Sequence, residues 1–153
     1  MSGRLAPSMT PDTEFFWQGC RDHRLLVQRC TDCGALRHPP RPMCPSCTSL
    51  AWEAIEASGR GTVLSFVMPR HPQFPGFDER YMVALVELEE GTRLVSNLVG
   101  TTPEEASIGM AVEVRFEHFD NDVVLPQFVP ADTDAGTAVG SADGTAAGTG
   151  ADR

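Results

Sequence analysis

Two C-x-x-C pairs, Cys30/Cys33 and Cys44/Cys47, fall within eighteen residues near the front of this chain and constrain its folding more than any other feature. Each pair lets two thiolates converge on one tetrahedral ion from a tight turn, and Gly34 frees the backbone to bend around the first two sulfurs. The ten residues between Cys33 and Cys44 suffice for a short hairpin excursion and return. The pattern predicts one structural Zn2+ held by Cys30, Cys33, Cys44 and Cys47. With four thiolates saturating the ion, no position is left for water or substrate.

Two other readings of the cysteines compete. Disulfides in a secreted domain would need a signal peptide, yet MSGRLAPSMTPDTEFF contains no continuous apolar stretch to act as its hydrophobic region. They would also leave Cys20 unpaired, and no segment approaches the ~18 to 20 apolar residues needed to span a bilayer. The expectation is a cytoplasmic protein with no membrane contact. Iron in a rubredoxin-like site is the competing metal, but rubredoxin separates its cysteine pairs more widely, and a structural four-cysteine site in a reducing compartment is usually zinc.

The rest of the chain reads as mainly β. Thr10-Pro11-Asp12 has the character of a helix start and leads into Glu14-Phe15-Phe16-Trp17-Gln18, so an N-terminal helix is assigned to residues 10–24. Phe16 and Cys20 share one face at i, i+4, which makes Cys20 a small buried residue. Leu25, Leu26 and Val27 centre a short strand that enters the zinc ribbon, residues 25–50. Trp52 to Ser58 alternates apolar and acidic residues, and Gly59-Arg60-Gly61 marks a sharp turn or bulge. Strands are then expected over Thr62 to Met68, Tyr81 to Leu88 and Arg93 to Val99. Thr102-Pro103-Glu104-Glu105 carries helix-start residues. Val112, Val114 and Phe116 alternate with Glu113, Arg115 and Glu117, the period of a half-buried strand. Asp120-Asn121-Asp122 closes a hairpin to Val123 through Val129. Five strands with this spacing fit an OB-fold barrel over residues 51–130.

The ends have a different character. From Ala131 onward the chain is built from Ala, Gly, Thr, Ser and Asp with one Val and a terminal Arg. Such a stretch cannot bury enough apolar surface to offset its ordering entropy, so 131–153 is expected to be a disordered tail and 1–9 a disordered arm. All twelve basic residues are arginine, against twenty-one acids. Four of the acids and one arginine lie in the tail, so residues 1–130 retain a net charge of −6 of the total −9. That balance opposes non-specific nucleic-acid binding, which rests on basic surface that displaces counterions.

The run FFWQGCRDHRLLVQRCTDCGALRHPPRPMCPSC, followed by GRGTVLSF, resembles the zinc-ribbon plus OB-fold acyl-CoA-associated proteins, a family formerly catalogued as a domain of unknown function. The resemblance spans about residues 10 to 130, and the four cysteines match residue for residue. It implies an N-terminal helix, a rubredoxin-like four-cysteine zinc ribbon and a C-terminal five-stranded OB-fold barrel. It further implies a non-catalytic accessory subunit that binds acyl-CoA or docks on and stabilises a thiolase-superfamily enzyme. Partners in the family are thiolases, thiolase-like aldolases of steroid side-chain degradation, and in some cases hot-dog-fold hydratases. A hetero-oligomer is the expected state.

The motif inventory points the same way, toward an accessory subunit whose partner supplies the chemistry. It has no G-x-S-x-G, no Gly-rich loop followed by Lys, no H-E-x-x-H and no lysine. For an acyl-CoA, Arg37 and Arg41 are the candidate phosphate ligands, beside the helix aromatics Phe15, Phe16 and Trp17. The competing role for Arg29, Arg37 and Arg41 is compensation of the thiolate charge. The long loop from Pro69 to Glu79 offers Phe74 and Phe77 to a ligand or partner, or as a cover for one end of the barrel. Two further classes remain open at this point. A ribbon joined to an OB-fold is also an architecture of single-stranded nucleic-acid binders, and a free-standing enzyme is the third possibility.

Overall fold

The structure is a computed structural model that describes residues 4–72, 76–77 and 80–131. Phe74, most of the expected tail and the first three residues of the expected arm lie outside the described residues. Helix α1 (Glu14–Arg21) begins later than the sequence suggests. Thr10 forms a preceding turn, its carbonyl accepting from the amides of Thr13 and Glu14 at 2.9 Å, while its own amide donates to Thr13 Oγ1 at 3.0 Å. Thr10 therefore closes the turn before the helix, and the helix cap falls at Thr13.

Strands β1 (Leu26–Cys30), β2 (Leu36–Arg37) and β3 (Trp52–Glu56) form an antiparallel sheet in the order β2-β1-β3. The register runs from Leu26 opposite Glu56 to Cys30 opposite Trp52. The alternating segment 52–56, assigned from sequence to the barrel domain beginning at residue 51, pairs instead with the ribbon. The barrel itself starts at Arg60. Its strands β4 (Arg60–Val67), β5 (Met82–Leu88), β6 (Arg93–Leu98), β7 (Ala111–Phe119) and β8 (Val123–Pro130) close in the order β4-β5-β6-β8-β7. All pairings are antiparallel except β6 with β8, where Leu98 faces Phe128 in parallel. This five-stranded Greek-key closure is that of an OB-fold.

The expected helix at Thr102 is a single capped turn. Ala106 N donates to Thr102 O at 2.9 Å, and Glu105 Oε2 accepts from Thr102 N at 3.1 Å and Thr102 Oγ1 at 3.0 Å. Gly109 N then donates to Val63 O, and Val63 N to Met110 O, which draws the chain back onto β4 before a second turn forms. A helix nucleus without room to propagate gains too few bonds to persist.

One core joins the parts. Val63, Ala84, Val86, Leu88, Leu94, Leu98, Val112 and Phe128 fill the barrel, and Phe16, Cys20, Leu25 and Val27 from the helix and ribbon join the same cluster. Cys20 is fully buried, and burial pushes its thiol up to about 12, as suits an inert packing residue. His23, at the end of α1, meets His118 of β7 with Nε2 atoms 2.7 Å apart and stacks on Phe116. This contact ties the helix end to the barrel wall.

Candidate metal centre and apolar groove

The two C-x-x-C segments fold into matching knuckles. In the first, Gly34 N donates to Cys30 O at 2.9 Å and Cys30 N to Ala35 O at 3.0 Å. In the second, Thr48 N donates to Cys44 O at 2.9 Å and Cys44 N to Ser49 O at 2.8 Å. Gly34 and Thr48 occupy equivalent places, with φ of 75° and 61°. The turn demands this left-handed conformation, which glycine adopts freely and threonine only with strain.

The knuckles face each other. Cys30 and Cys47 have sulfurs 3.5 Å apart, Cys33 and Cys44 3.6 Å, and all four sulfurs lie within 4.8 Å of one another. A tetrahedral ion with metal–sulfur bonds of about 2.3 Å needs sulfur separations of about 3.8 Å, so the four residues fit a closed metal site. None of them forms a disulfide. Backbone amides prepare the thiolates: those of Cys47 and Ser46 bring Cys44 down to about 6, and that of Cys33 leads the lowering of Cys30. Against this, Cys47 is pushed up to about 12: the Ser49 amide favours its thiolate, but the sulfur of Cys33, desolvation and the other sulfurs outweigh it. Four adjacent thiolates ionise together only around a cation that cancels their repulsion.

Beside the ribbon, at its joint with the barrel, lies a groove of about 530 Å³. Phe16 and Trp17 of α1 form one wall, packed edge to face at 4.9 Å, and Pro39 and Pro40 of the ribbon loop continue it. The barrel supplies Val83, Leu94, Val95, Leu125 and Pro126, and Phe77 closes one end against Tyr81 at 4.4 Å. Arg4 of the N-terminal arm lies 3.5 Å over the Phe77 ring. Two polar side chains in the barrel wall are already committed. Ser96 Oγ donates to Pro126 O, and Asn97 Nδ2 donates to Met82 O at 2.9 Å. His38 packs on Phe16 at 4.9 Å, and burial holds it down at about 4, so it lines the groove as a neutral ring.

Of the residues singled out from sequence, Phe16, Trp17 and Phe77 meet in this groove. Phe15 turns away and packs on Trp52 at 4.8 Å. Arg41 is exposed on the ribbon loop, its amide donating to Gln28 Oε1 at 2.7 Å. Arg37 is only 4% exposed, so its guanidinium is not presented to a phosphate arriving from solvent. His38, Pro39, Pro40, Tyr81, Leu94 and Leu125 were not assigned to a site by sequence. The His-Pro-Pro run was visible, but the barrel residues carry no local signal that sets them apart from ordinary strand positions.

A helix, a four-cysteine ribbon and a closed five-stranded barrel sharing one core define a rubredoxin-like zinc ribbon joined to an OB-fold. Family models find the same two parts, with the boundary inside β3. The "ChsH2, rubredoxin-like zinc ribbon domain" matches residues 17–53 and the "ChsH2, C-terminal OB-fold domain" matches residues 54–117. The chain is 37% identical over 113 residues to a DUF35 domain-containing scaffold protein of Pyrococcus furiosus, covering 70% of this chain and 82% of the relative. The chain belongs to the DUF35 family.

It is also 46% identical over 128 residues to a probable enoyl-CoA hydratase alpha subunit of Thermomonospora curvata, covering 84% of this chain and 40% of that one. Identity to the 3-oxo-4,17-pregnadiene-20-carboxyl-CoA hydratase alpha subunit of Mycobacterium tuberculosis is 44% over 115 residues, covering 75% and 37%. The chain thus spans about two-fifths of the length of these hydratase subunits. Among solved structures, a chain of the "Ltp2-ChsH2(DUF35) aldolase" superposes with a TM-score of 0.77 at 46% identity, covering 81% of this chain and 98% of that one. A DUF35-family protein of Sulfolobus solfataricus shares the fold at 16% identity and a TM-score of 0.57.

Proposed function

We propose that this chain is a non-catalytic accessory subunit that docks on and stabilises a thiolase-superfamily enzyme, and that its groove takes the apolar part of an acyl-CoA. One structural zinc in the four-cysteine centre holds the ribbon wall of that groove in place. The observation that carries the reading is the groove itself. It is open, almost entirely apolar and built jointly by helix, ribbon and barrel, with its one histidine held neutral. Pockets of this size and character bind ligands through mainly apolar walls, with a few polar groups that fix orientation. The near-complete match to a chain of an aldolase complex supports an enzyme partner, and the relatives named as hydratase subunits support CoA chemistry. Arg41, exposed on the ribbon loop, is the residue we assign to the phosphates.

The test is purification of the tagged chain from its own organism at moderate salt, with mass spectrometry of stoichiometric partners. A thiolase-like enzyme is the expected companion, and addition of acyl-CoA should quench Trp17 fluorescence. A hydratase in its place would correct the partner. Nucleic acid with ribosomal or replication proteins would overturn the reading in favour of single-strand binding.

A further inference from the structure

Neither the groove nor the sulfur ligands account for Arg37. The residue is 96% buried, and Nε, Nη1 and Nη2 have no hydrogen-bond partner among the described residues. No ion pair of the described residues includes it. The acidic side chains of β3, Glu53 and Glu56, are held by Arg29 and Arg24 in pairs about half exposed to solvent. A lone cation inside a protein is costly unless opposite charge lies near it.

The strand register indicates where that charge is. Arg37 stands opposite Gln28, and Cys30 follows Gln28 by two residues, on the same face of the sheet. Cys30 N donates to Ala35 O, two residues before Arg37. Arg37 is therefore the diagonal cross-strand neighbour of Cys30, a separation of about 7 to 8 Å that a long side chain spans. Gln28 is fully buried and accepts the Arg41 amide at 2.7 Å, so the segment after Arg37 folds back over this face and excludes water. Charges act over longer distances in such a setting. Four thiolates around a dication leave the centre with a charge of −2.

We propose that Arg37 is the buried counter-charge of the metal centre, a positioning residue that favours the fully ionised, metal-loaded form of the four cysteines. The inference rests on the reading of the centre as a zinc site.

The experiment compares wild type, Arg37→Met and Arg37→Lys by zinc content and by competition with a chromogenic chelator. Arg37→Met is expected to weaken zinc binding about 10- to 100-fold, the range seen when groups behind metal ligands are removed. Arg37→Lys, with its charge kept, should stay within a few-fold of wild type. The sulfur-to-metal charge-transfer bands of the cobalt-substituted protein should shift in Arg37→Met. The decisive comparison uses a Cys33→His background, which lowers the charge of the centre to −1. There the logarithm of the Arg37→Met penalty should fall to about half. An unchanged affinity in Arg37→Met, an equal loss in Arg37→Lys, or an equal penalty in both backgrounds would overturn the proposal. Wild-type protein that binds no zinc would instead refute the zinc reading, a failure that metal analysis identifies before any variant is made.

Discussion

Gly61 lies on β4 with β5 on one side, opposite Leu88, and β7 on the other, opposite Val112. A Cβ at this position would stand 2.4 Å from Glu87 O, 2.7 Å from Val86 Cγ1 and 3.1 Å from Glu87 C. Two of these three atoms are backbone, so no rotamer change relieves the clash. Ordinary contact begins at 3.4 Å, which means that Gly61→Ala must separate β4 from β5 locally by about 1 Å. Overpacking of this kind costs about 1 to 3 kcal/mol. Stretching one or two ladder hydrogen bonds adds about 1 kcal/mol each. Alanine returns about 0.4 to 1 kcal/mol by restricting the unfolded chain. The expected net loss is about 2 to 3 kcal/mol, or a melting temperature lower by about 5 to 10 °C for a chain of this size. The assay is urea and thermal unfolding of zinc-loaded protein, followed by circular dichroism and tryptophan fluorescence. Gly91→Ala is the control, since its Cβ would meet nothing within 4 Å and only the φ of +85° opposes it. That strain is worth about 1 to 2 kcal/mol. If Gly61→Ala proves as stable as wild type, the close approach of β4 to β5 does not require glycine and the reasoning fails.

Three further outcomes are expected. Burial holds His38 at about 4 against an ordinary 6.5, so between these values the unfolded chain binds the additional proton. Stability should therefore fall as pH drops from about 6.5 toward 4, by at most ~1.4 kcal/mol per pH unit from this group. His38→Gln should remove that part of the slope; equal slopes in both proteins would refute it, zinc loss in acid being common to the two. Thr48→Gly should stabilise the second knuckle by about 0.5 kcal/mol, the relief of a β-branched residue at φ 61° less the entropy cost of glycine. A lower melting temperature in that variant would show that the Thr48 hydroxyl bond to Cys47 O matters more. Removal of the metal by chelation should abolish amide protection in β1, β2 and β3, because a structural zinc contributes on the order of 10 kcal/mol to folding its site. Hydrogen exchange that is the same with and without chelator would contradict this.

The legible parts of this protein are those governed by short spacing. C-x-x-C brings two sulfurs together through one turn, so the convergence of Cys30, Cys33, Cys44 and Cys47 was readable before any fold was known. The alternation from Val112 to Glu117 likewise reports a strand with one face inward, since successive side chains of a strand point to opposite sides. Five strands, the last two joined by a hairpin at Asp120-Asn121-Asp122, were enough to suggest an OB barrel. The same alternation at Trp52 to Glu56 marked a strand but not its partner, and the strand pairs with β1. Gly19, inside α1, is where the helix packs closely on Leu26 of β1, with a Cβ there standing only 2.7 Å from Leu26 Cγ.

Local sequence therefore determined which segments bend, extend and gather the four sulfurs, because those properties depend on residues a few positions apart. Tertiary structure alone decided what they enclose. The groove draws Phe16 from the helix, Pro40 from the ribbon and Leu94 and Leu125 from separate barrel strands. Arg37 reads from sequence as a phosphate ligand or a counter-charge to the thiolates, and its burial appears only when the 38–41 segment folds back on Gln28. Burial is a sum over the whole fold, and no short window of residues contains it.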